Sequence, residues 1–336
     1  MLRSFVIRFL VFSLPLAGLY IAMEWFQRQI PNNYSVKKQQ FEAGLHQWET
    51  LVLGSSHTYL GINPDSLPGP GYNLGATAQT LYFDRFLLEK YMDDMPRLKR
   101  VIIPISYPSL GGESDRNPGI YDKSYHYAFF YGSEAFTDWY APKRYSIVQL
   151  FGIKRCVDRA KAYYVQPDTL VEFEANGWMA TDVQHDLERN GAESGLFHDQ
   201  VYDTSLVALN LQRLGDMITR CQARNIAVYL LSPPMWESYL AHTRPERLDR
   251  MVHAMDSLSE HYAVPYINFT SDKRFIAEDF FDSNHLRRDG ANKLSVILRE
   301  YMEQPRDPVT YFAKPVPKKV FSQQASPPKS DPPAAP

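Results

Sequence analysis

A series of short apolar runs, separated by segments whose apolar residues recur at helical spacing, most constrains the fold of this chain. A short apolar run bounded by turn residues is typical of a buried strand, and a period near 3.6 is typical of an amphipathic helix. The predicted strands are residues 50–53, 71–75, 101–105, 226–231 and 264–269. The predicted helices are residues 79–92, 205–224, 246–262 and 291–302. Because strands that alternate with helices form βαβ units, we expect a three-layer αβα fold around a doubly wound parallel sheet.

Composition fits one large α/β domain or two small ones. The chain has 336 residues, of which 44% are hydrophobic and 22% charged, so it can bury a substantial core. Its formal net charge of −2 excludes the strongly basic surface of a typical nucleic-acid-binding protein, and we expect no nucleic-acid partner. The aromatic content of 14% is compatible either with sugar-binding surfaces or with an aromatic core.

Cofactor signatures do not appear in the sequence. No G-x-G-x-x-G or Walker motif is present, and the histidines lack the i, i+4 spacing of a metal site, so we expect neither cofactor nor metal. The two cysteines, Cys156 and Cys221, are either one disulfide or two buried thiols, and we favour buried thiols.

The amino-terminal segment is apolar from residue 5 to residue 26. It is long enough to span a bilayer if Arg8 snorkels to the cytoplasmic face and Glu24 lies in the opposite interface, beside Trp25 and Phe26. A cleaved signal peptide and a buried helix of a soluble protein are the alternatives, but residues 18–23 contain no A-x-A cleavage site. We favour an uncleaved, single-pass anchor in the inner (cytoplasmic) membrane, with the body of the protein extracytoplasmic or periplasmic. The lysines at positions 37 and 38 weaken the positive-inside argument for that orientation.

The predicted organisation has a membrane anchor at 1–28, a polar spacer at 29–48, the α/β domain at 49–303 and a tail at 304–336. The stretch 109–202 is rich in Tyr, Asp and Gly and breaks the alternation, so we interpret it as an insertion. Ligands bind outside the carboxyl ends of parallel strands, and an insertion there would supply substrate contacts or a lid. The tail is rich in proline and small residues and is predicted to be disordered.

Two short motifs carry the candidate chemistry. Gly54-Ser55-Ser56 follows the first strand and places a hydroxyl at the carboxyl edge of the sheet. Asp282 and His285 lie three residues apart ahead of the last helix, so the carboxylate can bond one imidazole nitrogen and leave the other free to accept a proton. Each motif alone is weak, but a doubly wound sheet brings both to the same edge.

This combination resembles the SGNH/GDSL hydrolase superfamily, whose fold is a flavodoxin-like αβα sandwich. By that resemblance Ser56 is the nucleophile, with Ser55 where the family usually has Asp, and Asp282 and His285 complete the triad. The family's second block corresponds to Tyr72-Asn73-Leu74-Gly75, which implies that the N–H groups of Gly75 and Ser56 form an oxyanion hole.

The family's third block, Gly-x-Asn-Asp, is absent after the strand at 101–105, where the chain has Ser106-Tyr107-Pro108. The third oxyanion donor is therefore missing or replaced by the hydroxyl of Ser106 or Tyr107. Candidate substrate contacts around the triad are Ser55, His57, Asn73, Ser106 and Tyr107. For His57 itself, a position on the surface is the simpler interpretation.

The Gly-Ser-Ser variant behind an anchor is similar to a subset of the superfamily in the cell envelope. That subset includes the D-alanyl transfer protein of teichoic-acid modification and the periplasmic acetyl-transfer proteins of exopolysaccharide assembly. The resemblance implies a membrane-anchored serine esterase or O-acyltransferase that acts on a cell-surface glycan or acylated polymer, with a membrane-bound O-acyltransferase as a candidate partner. The alternative is a non-catalytic glycan-binding or assembly protein that keeps the same fold.

Overall fold

The computed structural model describes residues 2–112, 123–165 and 170–304, and the predicted tail from position 305 on lies outside them. Five parallel strands form the central sheet. They are β1 (Thr50–Val52), β2 (Gly71–Asn73), β3 (Arg100–Pro104), β4 (Ala227–Ser232) and β5 (Tyr266–Asn268). Their spatial order is β2-β1-β3-β4-β5, which is the doubly wound flavodoxin-like order. The predicted α/β fold class is confirmed.

A second, two-stranded antiparallel sheet contains β6 (Phe280–Asp282) and β7 (His285–Leu286). The α-helices in the described residues are α1 (Leu2–Gln29), α2 (Asn33–Ala43), α3 (Ser56–Gly61), α4 (Leu81–Tyr91), α5 (Ser124–Tyr131), α6 (Ile147–Phe151), α7 (Ile153–Tyr164), α8 (Leu187–Gln200), α9 (Val207–Gln222), α10 (Glu237–Ala241), α11 (Pro245–Tyr262) and α12 (Arg288–Glu303). Short 3₁₀ turns are Pro64–Ser66, Met92–Asp94, Pro142–Arg144, Thr204–Leu206 and Ala277–Asp279.

The core lies on both faces of the sheet because successive strand residues point to opposite sides. Leu51 and Leu53 of the first strand region face a cluster formed with α2, α4, α9 and α11, whereas Val52 faces a cluster formed with α12. Both clusters are made of fully buried aliphatic and aromatic side chains. The result is the predicted three-layer arrangement, with helices packed on each face.

Pro104 ends the central strand β3, although proline is rarely tolerated inside a sheet. On the side of β3 that faces β1, Ile102 C=O accepts a hydrogen bond from Leu53 N–H. An N–H group at position 104 would make the next hydrogen bond of this ladder. The acceptor of that bond would be Leu53 C=O, which accepts instead from the hydroxyl of Thr58 at 2.8 Å, so it is not left unpaired. The chain turns at Gly54, and the ring of Pro104 packs where a Gly54 side chain would lie.

The amino-terminal helix α1 is long and apolar enough to cross a membrane. Its first part makes few contacts with the domain, but its end is attached to α6. Glu24 accepts hydrogen bonds from Ile147 N–H (2.9 Å) and Val148 N–H (3.2 Å), and Tyr20 pairs with Ser146 Oγ at 2.6 Å. The carboxylate therefore satisfies the free N–H groups at the start of α6.

The segment expected to be a polar spacer contains α2, which the sequence did not predict. Phe41 of α2 is fully buried in the main core. Lys37 is also buried, and its ammonium donates to the carbonyl oxygens of Asn73 (3.2 Å), Gly75 (2.5 Å) and Gly177 (2.9 Å). Burial lowers the pKa of Lys37 well below its usual value. Lys37 is thus an internal tie to the loop after β2 and not an exposed charge beside the membrane.

The predicted insertion contains helices α5 to α8. Cys156 of α7 and Cys221 of α9 are both buried and unbridged, as expected for internal thiols. Burial raises the pKa of Cys221 to about 12, which keeps its thiol protonated and unreactive.

Candidate active site

Three side chains from distant parts of the sequence meet at the carboxyl edge of the sheet. Ser56 Oγ lies 2.7 Å from His285 Nε2. His285 Nδ1 lies 2.9 Å from both carboxylate oxygens of Asp282. Ser56 begins α3 directly after β1, whereas Asp282 and His285 belong to the β6–β7 hairpin. The structure therefore brings together the serine, histidine and aspartate that the two sequence motifs had suggested.

The tautomer of His285 follows from its partners. An ionised carboxylate can only accept hydrogen bonds, so Nδ1 carries the proton and Nε2 keeps a lone pair for the Ser56 hydroxyl. Burial alone would raise the pKa of Asp282, but the charge and hydrogen bond of His285, with the N–H groups of Asn284 and His285, outweigh burial and lower that pKa. Asp282 is consequently an anion that orients the imidazole and can stabilise its protonated form.

The position of Ser56 depends on an unusual backbone at Gly54. Its φ of 111° lies in the region that favours glycine, and a Cβ there would clash with Pro104 and Thr58. Gly54 N–H donates to Asp84 Oδ1 at 2.7 Å, and Gly54 C=O accepts from Ala76 N–H at 3.0 Å. The turn is fixed on both sides, and the chain then enters α3 with the Ser56 side chain directed at His285.

The predicted oxyanion role of Gly75 is not supported by the geometry. Gly75 N–H donates to Asn73 Oδ1 at 3.0 Å and is buried outside the cavity described below. The side chain of Asn73 is also fully buried, and its amide donates to the carbonyl oxygens of Thr58 and Ile62. Asn73 thus holds the loop after β2 against α3, and it does not line the cavity. Ser56 N–H, in contrast, finds no acceptor among the described residues.

The two candidates for the third oxyanion donor have different surroundings. Ser106 lines the cavity, and its hydroxyl lies 3.1 Å from Ser109 Oγ. Tyr107 is buried away from the cavity, where its hydroxyl donates to Asp199 at 2.7 Å and accepts from Arg244 N–H. Of the two hydroxyls, that of Ser106 is therefore the one that lies at the cavity.

His57 is buried, so the interpretation that it lies on the surface is wrong. Its ring stacks on His285 with centroids 4.9 Å apart and an interplanar angle of 15°. His57 Nδ1 lies 3.1 Å from Ser55 Oγ, and Nε2 lies 3.1 Å from Asn284 Nδ2. Burial, followed by the nearby charges of His285 and His198, lowers the pKa of His57 well below its usual value. A neutral His57 supports the plane of His285 without opposing its protonation.

Asp84 of α4 is a site residue that the sequence analysis missed. It is buried, lines the cavity, and accepts through Oδ1 from both Gly54 N–H and Gln79 Nε2 (2.6 Å). Burial raises the pKa of Asp84 to about 7, and the two hydrogen bonds offset only part of that effect. Gln79 in turn accepts from Tyr127 of the insertion at 2.6 Å. In the sequence, Asp84 lies within a predicted amphipathic helix, and nothing in the pattern of that helix indicates a site residue.

His198 and Asn284 were also missed. His198 Nδ1 lies 2.8 Å from the hydroxyl of Tyr239, and burial, with the charge of His285, lowers the pKa of His198 to about 4. Asn284 is buried and lines the cavity, and its Oδ1 has no partner among the described residues. Within the described ranges, no group of three or more His, Cys, Asp or Glu side chains is arranged to hold a metal ion.

Ser56 and His285 open into a cavity of about 410 Å³. One wall comes from the carboxyl ends of the strands, including Pro104 and Ser106. The predicted insertion supplies the facing wall, with Glu172, Met179 and residues of α8 such as Phe197. The insertion therefore lies against the carboxyl edge, beside the serine, where it can contact a bound molecule.

Two solved structures of low sequence identity are similar to this chain. No protein-family model matches the chain, and no curated protein is significantly similar to it. Among solved structures, a proposed acylhydrolase from Bacteroides fragilis NCTC 9343 is 10% identical, with a TM-score of 0.38 over 84% of this chain and 94% of its own. A GDSL-like lipase from Bacteroides thetaiotaomicron VPI-5482 is 12% identical, with a TM-score of 0.40 over 81% of this chain and 99% of its own.

Proposed function

We propose that this protein is a membrane-anchored, extracytoplasmic serine esterase or O-acyltransferase that acts on a cell-envelope polysaccharide. The observation that carries the proposal is the hydrogen-bonded series from Ser56 Oγ through His285 to Asp282, at the edge of an open cavity. Nucleophile, base and orienting carboxylate lie within hydrogen-bond distance of one another, as general-base activation of a serine requires.

The reaction would proceed through an acyl-enzyme. Ser56 Oγ attacks the ester carbonyl while His285 Nε2 takes the hydroxyl proton, and Asp282 stabilises the imidazolium that forms. Protonated His285 then gives this proton to the leaving alcohol, and the acyl group stays on Ser56. In the second step His285 removes a proton from water or from a sugar hydroxyl, which attacks the acyl-enzyme. As the bond between the acyl group and Ser56 Oγ breaks, His285 returns that proton to Ser56.

The oxyanion of each tetrahedral intermediate needs donors in the cavity. Ser56 lines the cavity at the start of α3, and its N–H would be one donor. A single such donor contributes about 2.7–4 kcal/mol in related enzymes. The Ser106 hydroxyl and the Asn284 amide also line the cavity and are the candidates for a second donor. They replace Gly75 in the proposal, because Gly75 N–H is already bonded to Asn73.

Envelope localisation is proposed from α1, whose exposed apolar surface favours insertion in a lipid bilayer. Transfer of an acyl group to or from a glycan is proposed from the resemblance of the sequence motifs to those of envelope proteins and from the cavity beside Ser56. A membrane-bound O-acyltransferase would be the natural acyl donor for a domain held close to the bilayer.

The test of the enzymatic proposal is turnover of small aryl esters by the full chain in lipid nanodiscs. We expect slow hydrolysis by the wild type, and its loss in both Ser56→Ala and His285→Ala, because the triad acts as a unit. Ser55→Ala is the matched control, since the neighbouring hydroxyl faces His57 and not His285. Addition of a de-O-acylated envelope polysaccharide should divert acyl groups from water to sugar if the protein is a transferase.

A non-catalytic glycan-binding protein is the second candidate, favoured by one observation, the occupied Gly75 N–H. It predicts that the wild type and Ser56→Ala bind the polysaccharide equally well and that neither hydrolyses an aryl ester. That result would remove the enzymatic proposal.

A further inference from the structure

Exposed aromatic side chains cluster on the loop of residues 136–146, called here the aromatic loop. Trp139, Tyr140 and Tyr145 are 77%, 66% and 59% exposed. They form a local group, because the Trp139 and Tyr140 rings are 5.7 Å apart and the hydroxyl of Tyr145 donates to Trp139 C=O at 2.6 Å. Side chains of this size are normally buried in a soluble domain, so the group marks an interaction surface.

Helix α7 carries a second exposed apolar surface. Ile153, Val157 and Tyr164 lie at helical spacings of four and seven residues, so they share one face, and each is more than half exposed. Lys154 and Lys161 are exposed on the same helix. An apolar face flanked by lysines is typical of a helix that lies in a membrane interface.

Both surfaces contact the same short stretch of α1. In the aromatic loop, Tyr145 C=O accepts from Arg28 at 2.8 Å and the neighbouring Ser146 hydroxyl pairs with Tyr20. In α7, the ring of Tyr164 stacks on Phe26 with centroids 5.0 Å apart. These contacts fix the two surfaces to the part of α1 between residues 20 and 28.

The position of residues 20–28 along α1 gives the depth of these residues in a bilayer. A helix rises about 1.5 Å per residue, and the hydrocarbon core of a bilayer is about 30 Å thick. The uncharged apolar run ends at Met23, immediately before Glu24 and Trp25. If α1 spans the bilayer, residues 20–28 cross from hydrocarbon into the headgroup layer, and the two attached surfaces are at the same level.

We propose that the aromatic loop and the exposed face of α7 form a collar that lies in the lipid headgroup layer around α1. The inference rests on the membrane anchoring of the proposed function. Aromatic residues favour this interface, and the lysines of α7 suit anionic headgroups. The collar gives the domain a second contact with the bilayer, so its cavity keeps a fixed height and orientation above the membrane.

The test uses the full chain in nanodiscs of phosphatidylethanolamine and phosphatidylglycerol, with an environment-sensitive fluorophore on single introduced cysteines. Trp139→Cys and Val157→Cys probe the collar, and Val183→Cys and Ile276→Cys are controls at exposed apolar positions elsewhere on the domain. Phe12→Cys probes α1 itself. The native cysteines are buried, and the wild type measures their background labelling. Each fluorophore is exposed in turn to aqueous iodide and to lipids that carry a nitroxide, placed at the headgroup for the positions on the domain and deep in the acyl chain for position 12.

We expect lipid quenching at positions 12, 139 and 157 and iodide quenching at 183 and 276. Iodide quenching at 139 and 157, with lipid quenching at 12, would overturn the collar and leave the anchor in place. Protection of 139 and 157 from both quenchers would also overturn it, because a second copy of the chain would then cover the surface. Absence of lipid quenching at position 12 would overturn the anchor and the collar together.

Discussion

Ser55 and Ser56 are chemically identical neighbours, but the fold gives them different partners. Ser55 precedes α3 and its hydroxyl faces His57, whereas Ser56 begins α3 and its hydroxyl faces His285. Only the imidazole of His285 is in turn bonded to a carboxylate, Asp282. A serine needs a general base to act as a nucleophile at neutral pH, and of the two hydroxyls it is that of Ser56 that has such a partner.

Asp282→Asn tests the orienting role of the carboxylate. The amide can donate to His285 Nδ1, which stabilises the tautomer with a proton on Nε2 and leaves no lone pair for Ser56. We expect hydrolysis of aryl esters to fall by up to about 10⁴-fold, as in related triads. Asp289→Asn is the control, because that carboxylate is exposed. Activity of Asp282→Asn equal to that of the control would contradict the role.

Asp84→Asn tests the buried carboxyl group beneath the Gly54 turn. Since the pKa of Asp84 is raised to about 7 from 3.8, the folded protein binds its proton more tightly than the unfolded chain does. This contribution to stability is complete below about pH 4 and is lost as the pH rises through 7. At about 1.4 kcal/mol per pKa unit, the contribution of Asp84 to the free energy of unfolding has an upper limit of about 4 kcal/mol.

In Asp84→Asn, the neutral amide keeps an Oδ1 acceptor but cannot ionise. Denaturant unfolding between pH 4 and 8 should therefore show a free energy of unfolding that falls less steeply with pH in Asp84→Asn than in the wild type. Asp65→Asn, at an exposed position, should keep the wild-type slope. An unchanged slope in Asp84→Asn would mean that Asp84 is ionised throughout this range.

The position of Ser56 depends on the junction of β1, β3 and α3. Gly54→Ala should lower both stability and the rate of reaction at Ser56, because it combines an unfavourable φ with a clash against Pro104 and Thr58. Gly132→Ala is a matched control, since Gly132 also has a positive φ of 77° but has open space around its Cα.

We expect Gly132→Ala to cost about 1–2 kcal/mol in the free energy of unfolding, the cost of the left-handed conformation alone. Gly54→Ala should cost more and should also abolish ester hydrolysis. Equal losses of stability in the two variants, with activity kept in both, would show that the close approach of Pro104 to Gly54 does not position Ser56.

The strand and helix pattern of the sheet could be predicted from sequence because each element carries its own signal. The predicted strand at 264–269 was observed as Tyr266–Asn268, and the predicted helix at 246–262 as Pro245–Tyr262. The helix α2 was missed because its buried residues, Lys37 and Phe41, are few among polar neighbours. Its position is determined by tertiary contacts, above all by the three carbonyl groups around Lys37.

The site could likewise be predicted only where the sequence itself carries a pattern. Ser56, Asp282 and His285 carry recognisable spacing, and the sheet topology brings them together. Burial and hydrogen bonds alone make three further residues part of the site, and the sequence around each residue shows neither. These residues are Asp84, His198 and Asn284. The partner of Gly75 N–H is a further example, because the sequence does not show that it is the side chain of Asn73, two residues away.

At the scale of the whole molecule, α1 is joined to the domain by specific polar contacts. Glu24 caps α6, and Gln27 donates to Cys156 C=O at 2.9 Å. A chain cleaved after residue 28 would leave the start of α6 uncapped, so we expect the native protein to keep these residues. Intact mass spectrometry of protein extracted from membranes should show the complete amino terminus. A mass that begins after residue 28 would replace the anchor with a cleaved signal.

Formation of a covalent acyl-enzyme at Ser56 can be tested by peptide mapping after reaction with a serine-reactive phosphonate. The full chain in nanodiscs should gain one adduct, on the peptide that contains Ser56, and fragmentation should place it on Ser56 and not on Ser55. Ser56→Ala and His285→Ala should remain unmodified under the same conditions. An adduct on Ser55, or no adduct on a wild-type protein that is folded, would contradict the account.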